Sequence, residues 1–139
     1  MTPKPIASLL DSPAFVLLAR LLLTFMFWGS GLSKLFNFQA GMGEMAHFGL
    51  QPAWLFNTLT IIVQLGGSLL IITNRAAWLG CGALAVFTLV TIPLAHAFWN
   101  MEQPMATMEM YVALEHITVV GALMVAAVLS QRSRRSGIY

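Results

Sequence analysis

Residues 54–73 read WLFNTLTIIVQLGGSLLIIT, and residues 76–99 read AAWLGCGALAVFTLVTIPLAHAFW. Only Asn74 and Arg75 separate these two apolar segments, and neither segment contains Asp, Glu, Lys or Arg. About 20 apolar residues in a helix cross the hydrocarbon core of a bilayer. The two segments therefore predict two membrane-spanning helices that are joined by a tight turn.

Two further apolar windows flank this pair, at about residues 14–36 and about residues 110–130. Backbone groups inside a bilayer need hydrogen-bond partners within the protein, which in an apolar segment of this length favours a helix. We therefore predict an all-α integral membrane protein that folds as an antiparallel four-helix bundle. Residues 1–139 are expected to form a single domain with spans at about 14–36, 54–73, 76–99 and 110–130.

The composition excludes several soluble classes of protein. The chain is 58% apolar and 9% charged, with a mean hydropathy of +0.80, whereas soluble chains carry about a quarter charged residues. Cys81 is the only cysteine, which excludes an intrachain disulfide. The net charge of +2 does not indicate a nucleic-acid partner, because three of the seven cations are the tail residues Arg132, Arg134 and Arg135. The predicted partner is the lipid bilayer.

The distribution of cations predicts the orientation. Four spans place both termini and the turn at 74–75 on one side of the membrane, and that side collects Lys4, Arg75, Arg132, Arg134 and Arg135. The other side has Lys34 with three acids, Glu44, Glu102 and Glu109. Because Lys and Arg concentrate in cytoplasmic segments, both termini are predicted to be cytoplasmic.

Polar residues in the spans are the candidate site, since each is costly in a membrane unless it is paired. Counting along the spans places most of them in the outer half, with Gln64 deepest. We predict that they line an outward-facing, ligand-binding cavity with Gln64 at its floor. These residues are Lys34, Gln64, His96, Trp99, Glu115 and His116.

Particular pairings follow from charge and spacing. Lys34 and Glu115 form the expected ion pair, which either serves the ligand or only holds the helices together. His96 and Trp99 are spaced i, i+3 and would hold a flat polar ligand on one helical face, or else lie solvated at the interface. Pro93, one turn earlier, is expected to kink its helix.

Residues outside this cluster have separate interpretations. Arg20, about two turns from the cytoplasmic face, would reach the headgroups, or bind a lipid phosphate or a partner subunit. Small residues predict close helix packing. They include Gly29, Gly31, Gly66, Gly67, Gly80, Gly82 and Gly121. Six methionines in or beside the outer loops, with His47, indicate either Cu(I) ligands or flexible packing. They are Met42, Met45, Met101, Met105, Met108 and Met110.

Four short motifs resemble the DoxX family of small four-span bacterial membrane proteins. They are residues 19–22 with 31–35, residues 64–67, Pro93 with residues 96–99, and residues 114–121, so that the resemblance covers about 14–130. It implies a bacterial inner-membrane protein with a redox role, since some members are similar to a subunit of thiosulfate:quinone oxidoreductase and others associate with oxidative-stress enzymes. Many relatives carry Glu at the position of Gln64, and Lys-Asn at that of Glu115 and His116.

The first functional hypothesis is a subunit of a membrane redox system whose cavity binds a quinone or a similar small ligand. His96, His116 and Glu115 would deliver protons, Trp99 would stack on the ring, and Lys34 would stabilise negative charge. No residue of the chain stores electrons, so an oxidoreductase would need a cofactor or a partner subunit. The alternatives are a non-enzymatic scaffold or assembly factor, and a small-solute or copper carrier that would work as a homo-oligomer.

Overall fold

The computed structural model describes residues 2–135, with side chains placed for residues 2–133. The side chains of Arg134 and Arg135, which belong to the predicted basic tail, and all of residues 136–139 lie outside the described residues. Seven α-helices and no strand are present within residues 2–135. The helices are α1 Lys4–Leu10, α2 Pro13–Leu23, α3 Phe25–Phe36, α4 Phe38–His47, α5 Ala53–Ile72, α6 Ala77–Ala95 and α7 Met105–Arg135, with a 3₁₀ turn at Phe98–Asn100 before α7.

The predicted apolar spans are helical. Three segments of the described chain are long and apolar enough to cross a membrane, and they are Ala53–Ile72, Ala77–Asn100 and Met105–Ser133. A fourth candidate is the pair of helices α1 and α2, which meet at an angle of 60°. An all-helical chain with three or four such segments is a multi-pass membrane protein, and its outer surface contacts lipid.

The first predicted span, about 14–36, consists of two helices that meet at Thr24. The Thr24 hydroxyl donates to the Arg20 carbonyl at 2.8 Å, a side-chain bond that competes with regular helical bonding and can bend a helix. The indole Nε1 of Trp28 donates to the Leu21 carbonyl at 3.1 Å. Polar groups at the break are therefore satisfied by nearby side chains, as an apolar environment requires.

The central helix of the packing is α5, which lies against α3 and α6, while α6 in turn lies against α7. The buried core between these helices includes Phe27, Ile71, Cys81, Leu84 and Leu123. These side chains come from four helices, so the core holds α3, α5, α6 and α7 together by apolar contact.

Glycine packing is confirmed at three of the predicted positions. A Cβ atom built at Gly80 would lie 2.6 Å from the Gly67 carbonyl oxygen, and one built at Gly31 would lie 2.8 Å from Leu65. The prediction is wrong for Gly29, Gly66, Gly82 and Gly121, where a Cβ would meet no atom within 4 Å. Successive helical residues point about 100° apart, so only one member of the pair Gly66 and Gly67 can face α6.

The short helix α4 lies in what the sequence presented as the first outer loop. The Asn37 side chain accepts a hydrogen bond from the Ala40 amide at 3.2 Å and so caps the start of α4. Asn57 of α5 is fully buried, and its Nδ2 donates to the Phe38 carbonyl at 3.3 Å. These two bonds hold α4 across the ends of α3 and α5.

Contacts define two ends of the molecule. Ser130 donates to the Asn74 side chain at 2.9 Å, which ties the far part of α7 to the α5–α6 turn. Leu10 and Asp11 line one cavity with Ser130, so the N-terminal segment lies there too. We name this the terminal end, and the end that carries α4 and His96 the loop end. The expected grouping of both terminal segments with the turn at 74–75 is confirmed for the described residues.

Candidate functional site

A cavity of about 420 Å³ lies at the loop end, between α3, α4, α5, α6 and α7. Its volume falls in the range of ligand-binding sites, and its wall is mainly apolar, as such sites usually are. The polar residues among those lining it are Ser30, Lys34, Glu44, Thr60, Gln64, Thr88, Thr91, His96 and His116. We name it the loop-end cavity.

Four of the six residues predicted to bind a ligand line this cavity. They are Lys34, Gln64, His96 and His116, which come from α3, α5, the end of α6 and α7. The remaining two, Trp99 and Glu115, are not among the lining residues. The packing of the helices thus brings together residues that are up to 82 positions apart in the chain.

Gln64 has a buried acceptor without a partner. The side chain is on α5 and only 6% of the residue is exposed. Its Nε2 donates to the Ser30 hydroxyl at 3.3 Å, whereas its Oε1 has no hydrogen-bond partner among the described residues. An unpaired buried acceptor costs about 1–3 kcal/mol, so a donor that reached this oxygen would be favourable.

Lys34 forms an ion pair with Glu44, at 2.8 Å between Nζ and Oε2, and not with Glu115 as expected. The Lys34 side chain is 12% exposed and that of Glu44 is 46% exposed, so the pair leads from the cavity to the surface. The expectation was wrong because it left α4 out. That helix places Glu44 beside α3, only ten residues further along the chain.

The two histidines lie against each other in the cavity wall. Their ring centroids are 4.7 Å apart in an edge-to-face arrangement. His96 Nδ1 lies 2.6 Å from Glu109 Oε2, and both side chains are more than three-quarters buried. His116 Nδ1 donates to the Val112 carbonyl at 2.8 Å, which leaves Nε2 as the nitrogen able to contact a ligand.

Trp99 does not share a helical face with His96. The helix α6 continues past Pro93 but ends at Ala95, so that His96 is its C-cap and Trp99 lies in the following 3₁₀ turn. Trp99 is 57% exposed and its ring packs against Phe98, with centroids 5.1 Å apart. The i, i+3 argument fails because it requires an unbroken helix through residue 99.

Glu115 is exposed, although its neighbour His116 lines the cavity. Adjacent residues on a helix point about 100° apart, so a helix that turns His116 inward turns Glu115 away. Among the described side chains Glu115 has no ion pair or hydrogen bond. The predicted position of Glu115 in the cavity is therefore wrong, because the rotation of α7 about its own axis turns this side chain away.

Sequence reasoning did not assign to the site Glu44 and Ser30, which line the cavity, or Glu109, which contacts His96. Glu44 and Glu109 were counted only as charges of the outer loops. Glu44 lies 10 residues after Lys34, the side chain that it contacts, and Glu109 lies 13 residues after His96. This short separation along the sequence, with a helix end between the two partners, was the signal from which each contact could have been predicted.

Residues 2–135 contain no group of three or more His, Cys, Asp and Glu side chains that could hold a metal ion. The methionines differ in placement. Met45 is buried in the cavity wall, whereas Met105 and Met108 are more than half exposed. Binding of Cu(I) by the loop methionines stays an untested prediction.

Arg20 is separate from this site. It lies on α2 and lines a different cavity, of about 700 Å³, at the terminal end. The predicted interpretations of Arg20, as a contact for lipid or for a partner subunit, therefore concern the opposite end of the molecule.

Comparison with known proteins identifies the family. The chain matches the DoxX family over residues 15–97, which covers more than half of its length and includes Arg20, Lys34, Gln64 and His96. The match ends before α7, the helix that carries His116. No curated protein and no solved structure matches the chain. The chain, a multi-pass membrane protein by its helices, belongs to the DoxX family.

Proposed function

We propose that this protein binds a quinone-like ligand in the loop-end cavity, as a subunit of a membrane redox system. The observation that carries the proposal is an apolar cavity lined by Gln64, a residue whose buried Oε1 has no hydrogen-bond partner among the described residues. An acceptor in that position favours a ligand with a hydroxyl donor on a flat apolar body. A quinol, the reduced form of a quinone, has this chemistry.

The proposal includes the arrangement in the membrane. Helices α2 and α3 would cross together as the first span, followed by α5, α6 and α7, which completes an antiparallel four-helix bundle. The largely apolar sequence of residues 14–36, with Arg20 and Lys34 as its only charges, supports this, as does the satisfied break at Thr24. The cation distribution supports a cytoplasmic position for the terminal end, and the cavity would then open to the outer face of the bacterial inner membrane.

The lining residues have distinct parts in binding. Gln64 Oε1 would accept a hydrogen bond from one ligand hydroxyl at the floor, and the apolar wall would cover the ring. The carboxylate of Glu44 neutralises the largely buried ammonium of Lys34, so this side of the cavity has no net charge. The ligand is thus selected as a neutral molecule.

Proton movement is the chemical step that this chain can support. A quinol releases two protons and two electrons when it is oxidised. The Nε2 of His116 would accept a proton in the cavity, and the adjoining His96–Glu109 pair would carry it toward the loop end. The electrons pass to a partner subunit or cofactor, since no side chain of this protein stores them.

The test starts with mass spectrometry of small molecules that co-purify with the protein in mild detergent. Quinol affinity is then compared for Gln64→Leu and for the control Gln39→Leu, whose residue is exposed on α4. Loss of one hydrogen bond, about 0.5–1.5 kcal/mol, predicts a 2- to 12-fold weaker affinity for Gln64→Leu alone. Equal affinity of Gln64→Leu and the wild type would contradict the proposal, provided that both elute as folded protein.

A second comparison addresses the histidines. His96→Ala should reduce quinone-linked proton release in membranes, whereas His47→Ala should not, because His47 is exposed and does not line the cavity. Full activity of the His96 variant would remove the histidines from the proposed proton path.

A further inference from the structure

The cavity at the terminal end differs in chemistry from the loop-end cavity. It has a volume of about 700 Å³ and is lined by residues of α2, α5, α6 and α7. Apolar side chains such as Phe15, Leu23 and Leu129 form most of its wall. Two oppositely charged residues, Asp11 and Arg20, also line it.

These two charges do not neutralise each other. No ion pair joins Asp11 to Arg20, and neither side chain has a hydrogen-bond partner among the described residues. An arginine in a membrane-spanning helix is costly unless it reaches an anion. The cavity therefore offers one cationic and one anionic group, both without partners in the described chain, beside a large apolar volume.

The geometry of α1 and α2 sets the depth of each charge. Asp11 lies in the bend of 60° between the two helices, whereas Arg20 is on α2, about 10 Å further along from Pro13 at about 1.5 Å per residue. Side chains on a helix lean toward its N-terminus, so an extended Arg20 side chain would reach back toward the level of Asp11. Both residues line the same cavity as the apolar wall, and in a membrane their charges would belong at the headgroup layer.

We infer that this cavity binds one phospholipid with a zwitterionic, amine-bearing headgroup. The guanidinium of Arg20 contacts the lipid phosphate, the carboxylate of Asp11 contacts the primary ammonium, and an acyl chain lies along the apolar wall. A phosphatidylethanolamine has this pattern of charges. A phosphatidylglycerol lacks the ammonium, and in a phosphatidylcholine the methylated nitrogen has no N–H group to donate to Asp11. The inference concerns the terminal end and does not depend on the quinol proposal.

The experiment is native mass spectrometry of delipidated protein, with phosphatidylethanolamine, phosphatidylcholine and phosphatidylglycerol of the same acyl chains in equal amounts. We expect one bound phosphatidylethanolamine, favoured by about tenfold or more over the other two lipids. Equal occupancy by all three lipids would overturn the inference. Glycerophosphoethanolamine, the headgroup without acyl chains, should compete weakly, and tight binding of this soluble compound would exclude a lipid site.

Charge variants assign the two contacts. Arg20→Gln should weaken binding of all three lipids, whereas Arg75→Gln should not, because Arg75 is exposed in the α5–α6 turn and does not line the cavity. Asp11→Asn should abolish the preference for phosphatidylethanolamine over phosphatidylcholine, because phosphatidylcholine loses only a charge attraction whereas phosphatidylethanolamine also loses a charge-assisted hydrogen bond. An unaltered preference in Asp11→Asn, or unaltered binding in Arg20→Gln, would overturn the assignment of that contact. A circular dichroism spectrum equal to that of the wild type shows that each variant is folded.

Discussion

The backbones of α5 and α6 approach closely at Gly67 and Gly80, and the substitution Gly80→Ala tests how much the fold depends on this approach. A Cβ atom at residue 80 would lie 2.6 Å from the Gly67 carbonyl oxygen and 3.0 Å from both Ile71 Cγ1 and Leu70 Cβ. Ordinary contact begins at 3.4 Å, so the first distance is about 0.8 Å too short. Because the obstructing atom belongs to a helix backbone, α5 and α6 have to separate.

The expected cost follows from overpacking. Inserting one methyl group into a well-packed interior typically costs about 1–3 kcal/mol, and separation would loosen the contacts of Ile71 and Leu84, which are 2% and 0% exposed. Alanine also favours a helix over glycine by up to about 1 kcal/mol. The matched control is Gly82→Ala, which gains the same propensity but meets no atom within 4 Å. The difference between the two variants isolates the clash.

The assay is the free energy of unfolding in detergent micelles, measured by denaturant titration of the wild type, Gly80→Ala and Gly82→Ala. We expect Gly80→Ala to be less stable than Gly82→Ala by about 1–3 kcal/mol. Gly67→Ala should fall between them, since its nearest obstruction is the movable Leu84 side chain. If Gly80→Ala is as stable as Gly82→Ala, the two helices are not held at this distance by their glycines.

Two more predictions concern the loop end. Gly41→Ala places a methyl group against the buried Asn57 amide and should lower the free energy of unfolding by about 1–3 kcal/mol. The control Gly43→Ala should be nearly neutral, because a Cβ atom there meets no atom within 4 Å. Equal effects of the two substitutions would contradict the packing of α4 on α5. A double-mutant cycle with Lys34→Gln and Glu44→Gln should give a coupling energy below about 1 kcal/mol, because the Glu44 side chain is 46% exposed. A coupling above about 2 kcal/mol would mean that the pair is shielded from water.

Helix positions followed from length and hydropathy to within a few residues. The second span was expected at about 54–73 and is Ala53–Ile72, and the fourth, expected at about 110–130, lies within Met105–Arg135. The early end of α6 at Ala95 was missed, because apolar composition continues through Trp99 while helical hydrogen bonding does not. Hydropathy indicates which residues are stable in lipid, but it does not indicate where the helical hydrogen bonding of the backbone ends.

The candidate site was less predictable from the sequence than the fold was. Depth along each span correctly grouped Lys34, His96 and His116, because position along a helix axis depends only on residue count. Partners were not predictable in the same way. The acids that contact Lys34 and His96 are Glu44 and Glu109, and both lie in segments whose paths depend on tertiary packing.

The helical character of this chain, its place in a membrane and the residues near each end could all be predicted from the amino-acid sequence. These properties depend on apolar length and on the distribution of charge, both of which are local. The rotation of each helix about its axis follows only from the packing of the helices, and with it the fact that His116 faces the cavity while Glu115 faces away. The same packing also decided the position of α4 and the pairing of the charges. Rotation and pairing depend on side chains from several helices at once, and no single segment carries that information.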